Sequence, residues 1–162
     1  MTSTLKRTAY HEAGHLVASY VFGNIGNVDF VTIIPHEGSG GRVEYKTYKT
    51  DCSLDTVIDT QNAILGLFAG IVSEEIKFGE HNPDGFGNID NDGGDYRAIS
   101  NHLLSLGESN DGDYKHQCKA LLLTHWDKVE MIAKELLIKK NLSGEQCLNI
   151  IERIKNFQKA EL

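Results

Sequence analysis

The segment LKRTAYHEAGHLVASYV, residues 5–21, decides the fold of this 162-residue chain. Its apolar side chains recur at intervals of three and four residues, which is the spacing of one face of an α-helix. These side chains belong to Leu5, Ala9, Ala13, Leu16, Val17, Tyr20 and Val21. Thr2 or Ser3 can cap such a helix at its start, and Gly23 is a natural end. We therefore predict a first helix that buries one face in a core.

The same periodicity predicts further helices along the chain. The second begins after Asp51 or Ser53 and ends at Phe78. Small side chains, which let a neighbouring helix approach closely, make it the candidate for the central buried helix; they belong to Ala63, Gly66, Ala69 and Gly70. Three more helices are predicted at residues 95–106, 114–139 and 143–160. Ser143 and Gln146 form a capping-box pattern at the start of the last one.

A small β element is predicted between the first two helices. Residues 28–34 are largely β-branched or aromatic, and residues 42–48 extend again after Pro35 and the glycine-rich turn at 38–41. Residues 79–94, rich in Gly, Asn and Asp, predict a surface loop. The expected fold class is mainly α (α+β), a helical bundle around the first helix with a small hairpin or sheet. We expect one domain across all 162 residues.

Composition and charge limit which binding partners and which cellular location are expected. Acidic residues outnumber basic ones by 23 to 16, a net charge of -7, so nucleic acid is not an expected partner. The longest apolar run, residues 63–72, is far short of the roughly 20 residues that span a bilayer. Neither a membrane span nor a signal-peptide core is expected. Cys52, Cys118 and Cys147 form no CxxC pair, which favours reduced thiols and a cytoplasmic protein.

His11-Glu12-Ala13-Gly14-His15 is an HExxH motif inside the first predicted helix. A separation of four residues places both imidazoles on one helix face, where they can bind a single zinc ion. Glu12 lies about 100° around the helix from His11, so it can reach a water on the metal without ligating the metal. This is the arrangement of a metalloprotease with Glu12 as general base. The alternative is an amphipathic helix with two surface histidines.

With its flanks, the motif resembles a known family. Residues 8–18, TAYHEAGHLVA, are similar to the start of the peptidase domain of the FtsH family of ATP-dependent zinc proteases. The likeness continues in order with VTIIP at residues 31–35, AGIVSEEIKFG at 69–79 and GDYRAIS at 94–100. The resemblance implies a metallopeptidase fold across the first hundred residues. It is weaker toward the C-terminus.

The resemblance also implies the rest of the metal site. It places the third zinc ligand at Asp95, with the fourth position open for water and one zinc per chain. Asp95 could alternatively be a helix N-cap, since it follows two glycines. Asp92 is a rival ligand, and so is Glu75 or its neighbour Glu74, either of which could instead orient a ligand histidine. His102, seven residues after Asp95, is a further candidate.

The sequence departs from the FtsH pattern in one respect. Members of that family carry a membrane anchor and an AAA+ ATPase ahead of the peptidase, whereas here the motif begins at residue 11 and no GxxxxGK[ST] loop occurs. We therefore expect hydrolysis that is independent of ATP, unless a separate ATPase partner docks onto the chain. The family assembles as hexamers, so a homo-oligomer is also compatible with the resemblance.

The expected substrate is a peptide or an unfolded protein. Such a substrate can add an extended strand to a sheet edge, because backbone pairing presents a scissile bond without demanding a particular sequence. The edge predicted for this role consists of Gly41, Arg42, Val43, Glu44 and Tyr45. The leading hypothesis is a zinc metalloendopeptidase. The alternatives are an inactive zinc-binding interaction module that retains the peptidase fold, and a helical domain without metal.

Overall fold

The computed structural model describes residues 3–46, 57–79, 94–109 and 111–160. Within these ranges it has six α-helices and one three-stranded antiparallel sheet, which confirms the predicted mainly α fold with a small β element. The helices are α1 (Thr4–Val21), α2 (Val57–Phe78), α3 (Gly94–Leu106), α4 (Gly112–Thr124), α5 (Trp126–Lys139) and α6 (Gly144–Ala160). The strands are β1 (Val28–Thr32), β2 (Arg42–Tyr45) and β3 (Asn141–Ser143).

Helix α1 has the predicted cap and the predicted buried face. The Ser3 hydroxyl accepts a hydrogen bond from the backbone N–H of Lys6 at 3.2 Å, whereas Thr2 lies outside the described residues. Gly23 follows the helix with a φ of 78°, a conformation that glycine adopts without strain. Four of the predicted apolar side chains are completely buried: Ala9, Ala13, Leu16 and Val17.

Helix α2 is the central helix, as predicted, and packs against α1, α3 and α4. Its predicted start lies outside the described residues. The crossing with α1 is very close, because a side-chain carbon on Gly14 would overlap the carbonyl of Ala69 and come within 2.8 Å of the Ser73 Cβ. Ser73 also donates a hydrogen bond of 2.6 Å to the Tyr10 carbonyl. The glycine inside the HExxH motif therefore brings α2 directly beneath the motif.

The sheet has the order β2-β1-β3, so β1 lies in the middle. Thr32 pairs with Arg42 of β2 on one side and with Asn141 of β3 on the other. The predicted pair of strands is confirmed, with β1 ending at Thr32 and β2 at Tyr45, whereas residues 47 and 48 of the second predicted strand lie outside the described residues. The third strand was missed because three residues are too few to show alternation. Among the described residues no strand pairs with the outer edge of β2.

The prediction of one helix over residues 114–139 was wrong, because the chain bends at His125 between α4 and α5. The His125 N–H closes α4 on the Leu122 carbonyl, and the His125 carbonyl accepts the first bond of α5 from Lys128. The bend lets α4 pack against α2 while α5 packs against α1. No glycine or proline lies between residues 113 and 143 to signal it.

The remaining helices follow the predictions closely. Helix α3 starts one residue earlier than expected and ends at Leu106 as predicted. The capping box of α6 is confirmed, since the Gln146 N–H donates to the Ser143 hydroxyl at 3.2 Å and the Gln146 side chain accepts from the Ser143 N–H at 2.9 Å. Residues 80–93 of the predicted loop lie outside the described residues. In the described part of the chain no helix combines the length and hydropathy of a membrane span.

Candidate metal centre

Three side chains from two helices converge at one point. The Nε2 atoms of His11 and His15 on α1 lie 3.0 Å apart. The Asp95 Oδ2 atom, from the first turn of α3, lies 3.1 Å from the His11 Nε2 and 3.2 Å from the His15 Nε2. Among the described His, Cys, Asp and Glu residues, only these three form a group whose ligand atoms could share a metal ion.

Helix α2 fixes both imidazole rings from behind. The backbone carbonyl of Gly66 lies 2.8 Å from the His15 Nδ1, and the Glu74 Oε1 lies 2.8 Å from the His11 Nδ1. A carbonyl oxygen can only accept a hydrogen bond, so the His15 Nδ1 carries the proton. A carboxylate oxygen likewise accepts, so the His11 Nδ1 carries the proton as well. In neutral rings both Nε2 atoms therefore present lone pairs to the Asp95 carboxylate. Three electron-pair donors at this separation repel one another unless a proton or a metal cation lies among them.

The spacing of these donors fits zinc. With bonds of about 2.0–2.2 Å to nitrogen and oxygen, a tetrahedral zinc ion holds its ligand atoms about 3.3 Å apart. The three separations of 3.0–3.2 Å are close to this edge. Two imidazoles and one carboxylate with a fourth position open form the kind of donor set that catalytic zinc sites use. The residues present therefore fit a zinc ion.

The electrostatics of the site also favour a positive charge where the three donors converge. Burial alone would lower the pKa of His11, but the Asp95 and Glu74 carboxylates outweigh it and raise that pKa well above its usual value. Burial alone would raise the pKa of Asp95, but His15 and His11 hold it far below its usual range. The carboxylates around the two imidazoles thus favour a positive charge at the place where the three donors converge.

Glu12 lies beside this group without belonging to it. The residue is only 5% exposed, and burial raises the pKa of its carboxyl against the opposing effect of His11 and His15. A side-chain carbon on Gly41 would come within 3.0 Å of the Glu12 Cγ. The Glu12 side chain therefore lies against Gly41, the residue that precedes β2.

The other predicted candidates occupy different places. Glu74 orients His11, whereas Glu75 pairs with Lys115 at 2.6 Å between their side-chain atoms. His102 is partly buried on α3 and lies outside the convergent group. Asp92 lies outside the described residues. Asp95 is the second residue of α3 and not the residue before the helix, so the alternative of an N-cap was wrong, and its carboxylate belongs to the metal group.

Sequence reasoning missed two contributions of α2. One is the Gly66 carbonyl that fixes His15. The other is the missing side chain of Gly70, where an added carbon would come within 2.5 Å of both Nε2 atoms. The small-residue pattern of α2 predicts close helix packing, and it is also the signal for this close approach to the histidines.

Comparison with known proteins identifies the family. The family model described as Peptidase family M41 matches residues 2–89, more than half of the chain. The chain belongs to peptidase family M41. The M41 match includes the HExxH motif and Glu74 but ends before Asp95. The third donor of the group thus comes from the part of the chain beyond the match.

Individual relatives agree with the M41 assignment. The ATP-dependent zinc metalloprotease FtsH of Bacillus subtilis (strain 168) is 27% identical over 89% of this chain and 29% of its own length. The mitochondrial inner membrane m-AAA protease component YTA10 of Saccharomyces cerevisiae is 26% identical over 95% of this chain and 25% of its own length. FtsH of Streptococcus pneumoniae serotype 4 is 40% identical over 43% of this chain and 11% of its own length.

The chain therefore spans less than a third of the length of these relatives. The predicted resemblance to the FtsH family is confirmed. The coarse functional class, a zinc metalloprotease family, follows from the M41 match and from the relatives' names.

Proposed function

We propose that this chain is a zinc metalloendopeptidase that hydrolyses peptide bonds in peptides or unfolded proteins. His11, His15 and Asp95 would hold one zinc ion per chain, and Glu12 would be the general base. The observation that carries the proposal is the convergence of three electron-pair donors whose lone pairs are fixed by Glu74 and Gly66. We also propose that the chain works as one domain in the cytoplasm.

Each residue has a separate task in the proposed reaction. A zinc ion held by His11, His15 and Asp95 would supply Lewis acidity, which polarises a carbonyl oxygen and makes water a nucleophile near neutral pH. Glu12 accepts the proton of the attacking water and returns it to the departing amine nitrogen. Burial of Glu12 raises the pKa of its carboxyl against the opposing effect of His11 and His15, and the carboxylate is the form that can accept the proton. His11, His15 and Asp95 keep their positions throughout.

The proposed substrate site is the outer edge of β2, formed by Gly41, Arg42, Val43, Glu44 and Tyr45. Two observations support it: β2 has no strand partner on that edge among the described residues, and Gly41 lies against Glu12. A peptide that pairs with this edge would present its backbone beside the base. The Ser19 hydroxyl lies 2.7 Å from the Tyr45 hydroxyl and ties the far end of β2 to α1.

Replacement of Asp95 tests the composition of the metal site. We expect Asp95→Ala to lower the zinc content of the purified protein from about one per chain to well below one, because two neutral imidazoles remain. His102→Ala, a change on the same helix outside the donor group, should leave the zinc content unchanged. Metal analysis after dialysis measures both. Full zinc content in Asp95→Ala, or its loss in His102→Ala, would refute the proposed ligand set.

The proposed independence from ATP has its own test. Cleavage of unfolded casein or a fluorogenic peptide mixture should proceed at the same rate with and without ATP, and should stop after zinc removal by a chelator. Restored zinc should restore the activity. Stimulation by ATP only when a cell extract is added would indicate a separate ATPase partner. Bound zinc without any turnover would indicate the inactive interaction module instead.

A further inference from the structure

Arg7 lies one helical turn before His11 on α1 and reaches the carboxylate behind it. Its Nη1 atom is 3.5 Å from the Glu74 Oε2, while the Oε1 of the same carboxylate accepts from the His11 Nδ1 at 2.8 Å. The Arg7 and Glu74 side chains are only 15% and 8% exposed. The guanidinium also lies over the Phe78 ring, 4.8 Å from its centroid. Both contacts hold Arg7 behind the metal group.

The chemical consequence follows from the burial of Glu74. A buried carboxylate needs cations or hydrogen-bond donors that compensate for the lost water. Arg7 brings a permanent positive charge to one Glu74 oxygen, and the other oxygen stays directed at the His11 Nδ1. A carboxylate partner on the Nδ1–H group fixes an imidazole ring and makes its Nε2 a better metal ligand. His15 differs, since its Nδ1 donates to the neutral carbonyl of Gly66.

We propose that Arg7 is a positioning residue for the metal, which tightens zinc binding by holding the Glu74 carboxylate aimed at His11. The inference rests on the metal site described under the proposed function. The contacts run outward from the metal site through His11 and Glu74 to Arg7. Arg7 itself lies outside the group of metal donors.

A double-mutant cycle tests this chain of contacts. Zinc dissociation constants are measured by competition with a chromophoric chelator for wild type, Arg7→Gln, Glu74→Gln and the double variant. Loss of a direct outer partner typically weakens metal binding by about 10–100-fold, which is the expectation for Glu74→Gln. Arg7→Gln, one contact further out, should weaken it by roughly 3–10-fold. In the Glu74→Gln background the Arg7 substitution should have no further effect.

Lys77→Gln is the matched control for structural effects. Lys77 also pairs with a glutamate, 2.6 Å from the Glu130 Oε1, and also lies over an aromatic ring, 4.8 Å from the centre of Tyr10. It contacts neither site histidine in the described structure, so its loss should leave zinc affinity unchanged. Arg7→Lys should restore part of the affinity that Arg7→Gln loses. Thermal unfolding of the metal-free proteins separates folding from binding.

The possible outcomes separate a failure of the role proposed for Arg7 from a failure of the proposed metal site. Equal losses in Arg7→Gln and Lys77→Gln, or an undiminished Arg7 effect in the Glu74→Gln background, would overturn the role of Arg7. The visible spectrum of the cobalt-substituted protein gives a second readout. A change of the His11 ligand should shift that spectrum in Arg7→Gln and not in Lys77→Gln. A wild-type protein that binds no zinc would overturn the metal site itself.

Discussion

Glu12→Gln is expected to reduce peptide cleavage by about 10²–10⁴-fold, the usual contribution of a general base, while zinc stays bound. Glutamine keeps the shape of the side chain but cannot accept the proton of the attacking water. The zinc content should not change, because Glu12 lies outside the group of His11, His15 and Asp95. Parallel measurements of cleavage rate and metal content on one preparation provide the test.

The variant should also fold as well as the wild type. Glu12 is 5% exposed, and burial raises the pKa of its carboxyl, so a neutral amide removes an unfavourable buried charge. Glu135→Gln is the matched control, because it removes the same charge from a surface pair with Lys139. Its cleavage rate should equal that of the wild type. Unchanged cleavage by Glu12→Gln would exclude Glu12 as the base.

Local spacing was enough to predict the first two donors. A separation of four residues on a helix places His11 and His15 on one face whatever the rest of the fold does. Asp95 was different, since 80 residues separate it from His15 and only the family resemblance pointed to it. Periodicity predicts which face of a helix is apolar. It does not predict which other helix begins beside that face. That placement depends on how α3 packs against α2.

The choice between Glu74 and Glu75 shows the same limit. The two carboxylates are neighbours on α2 and lie about 100° apart around it. The rotation of α2 is set by its close crossing with Gly14, which turns Glu74 toward His11 and leaves Glu75 facing Lys115 of α4. The sequence shows the small residues of this crossing, but it does not show which residues of the other helix they contact. The bend at His125 could not be predicted from the local sequence either, because it lets α4 and α5 pack against two different helices.

Gly70→Ala should abolish tight zinc binding, although alanine is the better helix former. A side-chain carbon there would lie 2.5 Å from both Nε2 atoms and 2.7 Å from the His11 Cδ2. Ordinary contact needs about 3.5 Å, so the imidazoles would have to move by ~1 Å. Their Nδ1 atoms are held by Glu74 and Gly66, and the movement would therefore break the donor triangle. We expect zinc affinity to fall by about 100-fold or more, which is a larger effect than the loss of one hydrogen bond to a ligand histidine.

Gly66→Ala, one turn earlier on the same helix, is the matched control. A side-chain carbon on Gly66 meets nothing within 4 Å, and the backbone carbonyl that holds His15 is kept. Its zinc affinity should equal that of the wild type. Its free energy of unfolding should rise by about 0.5–1 kcal/mol, because alanine loses less conformational entropy than glycine in a helix. Equal zinc affinity in Gly70→Ala would mean that the ion does not lie where the two Nε2 atoms converge.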